Sequence, residues 1–245
     1  MDRHLIEAFE EENVQLFLGS GLSHGIYDSV GEFRRRLLKE KITTGGKERT
    51  LEEVLAEDSA IPTTHIENAY GLGDIAEFYE LYDGSQALLE IVKKTYGKKR
   101  NSTETHNNLW KLPGVRLIYT TNYDCLSEGA LRSPLQEPIV ATRLSELKDL
   151  HPDNRIVFKP HGCACTSTER ADFVITRTDY LNYSSRRILE ELKTLYDIFT
   201  RTFLFLGYSL EDHNIRQIIA EANRLEPNIR AYAVLKDVSV PEVRY

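Results

Sequence analysis

The sequence predicts an α/β fold, a doubly wound and mostly parallel sheet of about six strands with a helical insertion. Three observations lead there. Short apolar, β-branched or aromatic runs alternate with segments whose apolar residues recur three and four apart. The runs are apolar on both faces, as strands of a parallel sheet covered by helices must be. Four of them, far apart in the chain, break at glycine or at small polar side chains, the pattern expected where strand ends surround a ligand pocket.

The strands fall at about 14–18, 115–120, 137–141, 155–159, 202–206 and 230–235. Helical spacing covers about 2–12, 31–41, 103–111, 123–132, 185–200 and 212–224, as in Ile188, Leu189, Leu192, Leu195, Tyr196 and Phe199. Between 42 and 102 the periodicity is helical throughout (Leu51, Val54, Leu55; Leu72, Ile75, Ala76, Tyr79; Leu88, Leu89, Val92), with Thr43-Thr44-Gly45-Gly46, Ile61-Pro62-Thr63-Thr64 and Asp83-Gly84 as turns between short helices. This stretch reads as a helical insertion, either a lid on the pocket or a layer packed on the sheet. The last strand lies close to residue 245, so residues 1–245 are expected to form a single domain.

A formal charge of −7 and a pI near 5.6 argue against a broad nucleic-acid-binding surface. The sequence has neither a bilayer-length apolar run nor the basic-then-apolar plan of a signal peptide, so no membrane association and a cytoplasmic location are expected. Cys125, Cys163 and Cys165 are too few for a disulfide framework and read as small, partly buried thiols in a reducing compartment. Cys163 and Cys165 beside His161 invite a zinc reading, but a structural zinc usually takes two spaced ligand pairs and only one is present; no metal is expected.

The candidate site residues sit at the strand ends. Gly19, Ser20, Gly21 and Ser23 form a glycine loop that lets backbone approach a pyrophosphate, although His24 stands where the third glycine of the dinucleotide fingerprint belongs; a ligand-free tight turn is the alternative. Thr121, Asn122 and Asp124 follow the strand at 115–120. The amide of Asn122 suits a sugar hydroxyl and a water, and the carboxylate of Asp124 a carboxamide, while capping of the helix at 123–132 explains either residue structurally. His161, between Pro160 and Gly162, is placed as a general base titrating near neutrality; a merely solvated loop histidine is the alternative. Gly207, Ser209 and Asp212 open the last long helix, where Ser209 and Asp212 come close to a capping box, a sufficient structural explanation; the functional reading makes Gly207 a close-approach point and lets Ser209, and less directly Asp212, touch a ribose or phosphate.

Gly19-Ser20-Gly21-Leu22-Ser23, Thr120-Thr121-Asn122-Tyr123-Asp124, Lys159-Pro160-His161-Gly162 and Gly207-Tyr208-Ser209-Leu210-Glu211-Asp212, in that order, resemble the bacterial sirtuin-like NAD-hydrolase domains of anti-phage defence systems. Asp74-Ile75-Ala76-Glu77-Phe78-Tyr79-Glu80 is similar to that family's helical insertion. The resemblance implies a Rossmann-like domain that takes NAD as substrate and cleaves its nicotinamide–ribose bond. It implies that Asn122 and His161 are the catalytic pair, that the glycine loop holds the pyrophosphate, that Asp124 lies by the nicotinamide with Asp28 and Tyr27 nearby, and that Ser209 lies toward the adenosine half. It further implies activation as a homo-oligomer or by a sensor such as an Argonaute-type protein, an ATPase or a phage protein. The four-cysteine zinc module of sirtuin deacylases is missing and Tyr123 replaces an aliphatic residue, which speaks against lysine deacylation. NAD-dependent deacylation or ADP-ribosyl transfer, and a non-catalytic nucleotide-sensing module, are the rival readings.

Overall fold

The computed structural model describes residues 2–131, 137–147, 154–183, 202–208, 219–220, 224 and 230–234. In chain order the elements are α1 (Arg3–Glu10), β1 (Val14–Leu18), α2 (Val30–Lys39), β2 (Lys41–Thr44), β3 (Lys47–Thr50), α3 (Leu51–Ser59), α4 (Thr63–Ala69), α5 (Leu72–Asp83), α6 (Ser85–Tyr96), α7 (Glu104–Leu109), β4 (Leu117–Thr120), α8 (Leu126–Ala130), β5 (Ile139–Ala141), β6 (Ile156–Phe158), α9 (Arg177–Asn182), β7 (Thr202–Leu206) and β8 (Ala231–Val234). Six strands make one parallel sheet in the order β5-β6-β4-β1-β7-β8, the Rossmann-like arrangement the sequence predicts. All six lie within the predicted runs. The predicted helix at 185–200 lies outside the described residues, as does that at 212–224 apart from Ile219, Ala220 and Arg224.

Alternation along each strand gives the sheet two chemically different faces. Phe17, Tyr119, Phe158, Phe203 and Phe205 share one face, while Leu16, Leu18, Ile118, Val157 and Leu204 share the other. In register, Phe17 stands opposite Tyr119 on one side and Phe205 on the other, and Tyr119 opposite Phe158. The Phe17 ring lies 5.0 Å from Tyr119 and 4.6 Å from Phe205 between centroids, so a continuous aromatic row crosses the four central strands. Each such ring pair contributes roughly 0.5–1.5 kcal/mol beyond burial, which fixes the strand order as well as stabilising it.

The stretch from 41 onward departs from the helical expectation. It opens with the antiparallel hairpin β2–β3, turned by Gly45 and Gly46 at φ +58° and +75°. Two consecutive positive φ values are what a tight two-residue hairpin turn requires, and glycine adopts them without strain. Helices α3 to α6 follow. Their core, with Phe33, Leu37, Leu51, Ile75, Leu88 and Val92 buried, also takes in Tyr123, Leu126, Phe173 and Ile175 from the loops at the strand ends. The cysteine expectation also needs correcting: Cys125 and Cys165 are disulfide-bonded, leaving Cys163 free. Forty residues separate them in the chain, but they leave the ends of neighbouring strands, which bring their Cα atoms to 6.6 Å.

Behind the site, Lys159 follows β6 with no solvent exposure. Its ammonium donates to the Asp124 carbonyl oxygen and, at 3.1 Å, to Glu128 Oε1 on α8. Burial works against its charge, but Glu128, Cys163 and Asp124 together hold its pKa above the ordinary lysine value. The ion pair therefore ties α8 and the turn before it to the neighbouring strand.

Two stability outcomes follow. Phe17→Ala should cost about 3–5 kcal/mol in urea unfolding, because the cavity lies in the middle of the aromatic row; a loss under about 1 kcal/mol would contradict that packing. Lys159→Met should cost about 3–5 kcal/mol by stranding the Glu128 carboxylate, whereas Lys159→Met combined with Glu128→Leu should recover most of it. A double variant as unstable as the single one would show that the cost is not that of an unpaired charge.

Candidate active site

The loops leaving β1, β4, β6 and β7 surround a cavity of about 420 Å³ at the carboxyl edge of the sheet. Ser20 and Ser23 reach it from the first loop, Thr121, Asn122 and Asp124 from the second, His161 from the third and Gly207 from the fourth. Asn122 and His161 thus face one cavity. Ser209 and Asp212 lie outside the described residues.

The turn after β4 is held by two local hydrogen bonds. Asn122 N donates to Thr120 Oγ1 at 3.1 Å, and Asp124 Oδ1 accepts from Leu126 N at 3.0 Å. Asp124 therefore does cap the following helix, which begins only at Leu126 and is shorter than the predicted 123–132. Its other oxygen, Oδ2, accepts from Ser23 Oγ at 2.7 Å, and Ser23 Oγ in turn accepts from Asn122 Nδ2 at 3.3 Å. A three-residue chain, Asn122–Ser23–Asp124, crosses from one strand end to another. Capping and site geometry coexist in Asp124 because its two oxygens face different partners. Tyr123 packs into the helical core, its hydroxyl donating to the Val174 carbonyl at 2.7 Å.

Gly19 and Gly21 face the loop after β7. Neither lines the cavity; both pack against the loop after β7, with Gly19 N donating to Leu206 O and Gly21 N to Gly207 O, each at 2.8 Å. A Cβ on Gly19 would sit 2.6 Å from Gly207 O and 2.8 Å from the Tyr208 ring, and one on Gly21 2.8 Å from Gly207 O. Gly207 itself has φ +71°. These glycines let two backbones meet at the point where the strand order reverses, between β1 and β7, and so set the floor on which Ser20 and Ser23 stand.

His161 is neither the solvated loop histidine of the alternative reading nor an imidazole titrating near neutrality. It is 3% exposed, with Tyr180 and Tyr183 edge-on at 5.5 and 5.3 Å between centroids, and its buried Nε2 has no hydrogen-bond partner among the described residues. Burial pulls its pKa from the ordinary histidine value down to about 4, with Asp179 opposing. The ring is therefore neutral at physiological pH. An unfolded chain would take up this proton near pH 6.5, so the stability that this group contributes is lost as pH falls from there toward 4. A buried ring nitrogen without a partner costs free energy, and a hydroxyl entering from the cavity would satisfy it.

Asp28 lines the cavity while its Oδ2 accepts from Arg36 Nε at 2.6 Å. Tyr27 does not line it: its ring is buried in the helical core and its hydroxyl donates to the Lys98 carbonyl. Thr121 meets the Tyr208 hydroxyl through its own Oγ1 at 3.1 Å. Three lining aromatics were not singled out from the sequence, Tyr96, Tyr180 and Tyr208. Tyr208 sits inside the Gly207 motif and was legible in principle; Tyr96 and Tyr180 carry no local signal. With Leu72, Tyr96 brings the helical stretch to one wall of the cavity. The arrangement supplies a neutral imidazole, an amide, a buried carboxylate and three serines, Ser20, Ser23 and Ser29, around one cavity, the equipment for holding a sugar and removing a proton.

Comparison with known proteins agrees with this reading of the fold. The SIR2-like domain family matches residues 116–244. The chain is 31% identical over 220 residues to a protein named NAD(+) hydrolase ThsA from Enterococcus faecium, a match covering 88% of this chain and 41% of that one. It is 29% identical over 222 residues to another of the same name from Cytobacillus dafuensis, covering 89% and 40%. A protein named Defense-associated sirtuin 2 from Bacillus subtilis is 28% identical over 158 residues, 61% of this chain and 14% of its own length. The chain thus spans about two fifths of the ThsA relatives. With the family match extending over more than half of its residues and the sheet built as described, the chain belongs to the SIR2-like domain family.

Proposed function

We propose that this chain hydrolyses NAD, cleaving the bond between nicotinamide and ribose to give nicotinamide and ADP-ribose. The observation that carries the reading is the meeting of Asn122 and His161 at one cavity, with His161 Nε2 buried and without a hydrogen-bond partner among the described residues. The name shared by the relatives, NAD(+) hydrolase, supports the choice of substrate.

Nicotinamide in NAD is a cationic leaving group, so departure needs no strong acid. The site has to hold the ribose, stabilise positive charge growing on its ring and deliver water. In this reading His161 Nε2 accepts the proton of a ribose hydroxyl or of the attacking water, and Asn122 holds the sugar or that water in line. The Asp124 carboxylate lies by the nicotinamide, Ser20 and Ser23 face the phosphates, and Gly207 leaves room for backbone approach. The neutral state that burial gives His161 suits the role of acceptor.

The reading extends to a defence role, supported by the name of the Bacillus subtilis relative. An enzyme that destroys NAD needs restraint until it is triggered, so a second copy of the chain or a sensor partner completes the proposal.

Asn122→Ala and His161→Ala should each lower NAD turnover by ~10²–10⁴ while remaining folded, read by chromatography of nicotinamide and ADP-ribose. Wild-type rates in both would remove the assignment, and acyl-ADP-ribose or modified protein in place of free ADP-ribose would redirect it to transfer. The acid limb of kcat/KM should have its midpoint near the His161 value of about 4, activity falling as pH drops through it. A limb centred on about 6.5 would mean that the working imidazole is exposed to solvent.

A further inference from the structure

All three cysteines of this 245-residue chain, Cys125, Cys163 and Cys165, converge, their sulfur atoms within 4.8 Å of one another. They belong to the two loops that carry Asn122 and His161. Cys125 directly follows Asp124, and Cys163 and Cys165 stand two and four residues beyond His161. These loops already touch through Ala164 N, which donates to the Tyr123 carbonyl at 2.8 Å, and the Cys125–Cys165 bond joins them covalently. Access differs among the three: Cys163 is fully buried, Cys125 nearly so, and Cys165 is partly exposed. Cys163 Sγ rests 3.6 Å from Glu128 Oε1, against the carboxylate that pairs with Lys159.

We propose that these cysteines form a thiol–disulfide exchange site, with Cys165 as the entry sulfur for hydroperoxides and low-molecular-weight thiols and Cys125 as its resolving partner. In the oxidising direction the Cys165 thiolate attacks a hydroperoxide, forming a sulfenic acid and releasing the alcohol, or water from hydrogen peroxide. The Cys125 thiol then attacks that sulfur, closes the disulfide and releases a second water. In the reducing direction an external thiolate attacks Cys165 Sγ, the bond to Cys125 breaks, and Cys125 leaves as a thiolate that takes up a proton. A second external thiol then frees Cys165 and departs as the oxidised dimer. Each cycle moves two electrons. Closure clamps the Asn122–Asp124 turn to the His161 loop, and so opposes any change in the spacing of Asn122 and His161 across the cavity that both line.

The test takes the purified chain, treats one portion with hydrogen peroxide and another with reduced glutathione under native conditions, alkylates both in denaturant and maps the peptides by mass spectrometry. Peroxide should leave only Cys163 alkylated and yield a Cys125–Cys165 cross-linked peptide; glutathione should return all three to the alkylatable form. Three alkylatable cysteines after peroxide, or a cross-link that native glutathione cannot open, would overturn the proposal. Cys165→Ser should abolish cross-linking, and an equally fast Cys125–Cys163 bond in that variant would remove Cys165 as the entry sulfur. This readout does not depend on the reading of the chain as an NAD hydrolase. The clamp does rest on it, and is read separately as NAD turnover, expected to be several-fold slower in the cross-linked form; equal rates in a hydrolysing protein would overturn the clamp.

Discussion

The Lys159 ammonium is buried between the end of β6 and the turn after β4, donating to the Asp124 carbonyl and to Glu128, and that contact joins the two loops that carry Asn122 and His161. A charge in a low-dielectric interior must keep its partners, because leaving one unpaired costs several kcal/mol. The Asn122–Asp124 turn is therefore held from beneath by a cation and from the side by Ser23, while Tyr123 anchors it into the helical core. His161 stands two residues beyond Lys159, so the imidazole is placed by the same segment that places the amide. A site spread over four loops becomes one object because two of them share a buried ion pair.

The remaining loops are joined by absence of side chain. Gly19 and Gly21 allow the turn after β1 to lie directly on the backbone of Gly207 after β7, where any Cβ would collide. This closes the crevice at the reversal of strand order and leaves the space above it for Ser20 and Ser23. Glycine here acts through packing between protein backbones. The helical stretch completes the enclosure: Leu72 and Tyr96 wall one side, and α9 lays Tyr180 against His161.

Much of this was legible in the sequence because it is written locally. The aromatic and aliphatic faces follow from alternation within each strand, and the breaks after Leu18, Thr120, Phe158 and Leu206 mark where the strands end at the cavity. What could not be read depends on contacts between distant residues. The β2–β3 hairpin buries only Ile42 fully, so its alternation is too weak to compete with the helical periodicity that follows. The Cys125–Cys165 bond and the burial of Lys159 need the adjacency of β4 and β6, which is a fact of sheet order. The seal over His161 comes from a six-residue helix whose start is fixed by Thr176 capping the Asp179 amide, a signal with no apolar periodicity around it. The dual use of Asp124, one oxygen for the helix and one for Ser23, shows why capping and a place in the cavity wall could not be separated from sequence.

The central claim is that the imidazole of His161 and the amide of Asn122 address the same sugar. A crystal structure with a hydrolysis-resistant carbocyclic NAD analogue tests it most directly. The account expects the hydroxyls of the nicotinamide-side ring within hydrogen-bond distance of His161 Nε2 and Asn122 Nδ2, with that ring inside the cavity described here. An analogue bound with this ring outside the cavity, or with His161 still sealed from it, would contradict the account.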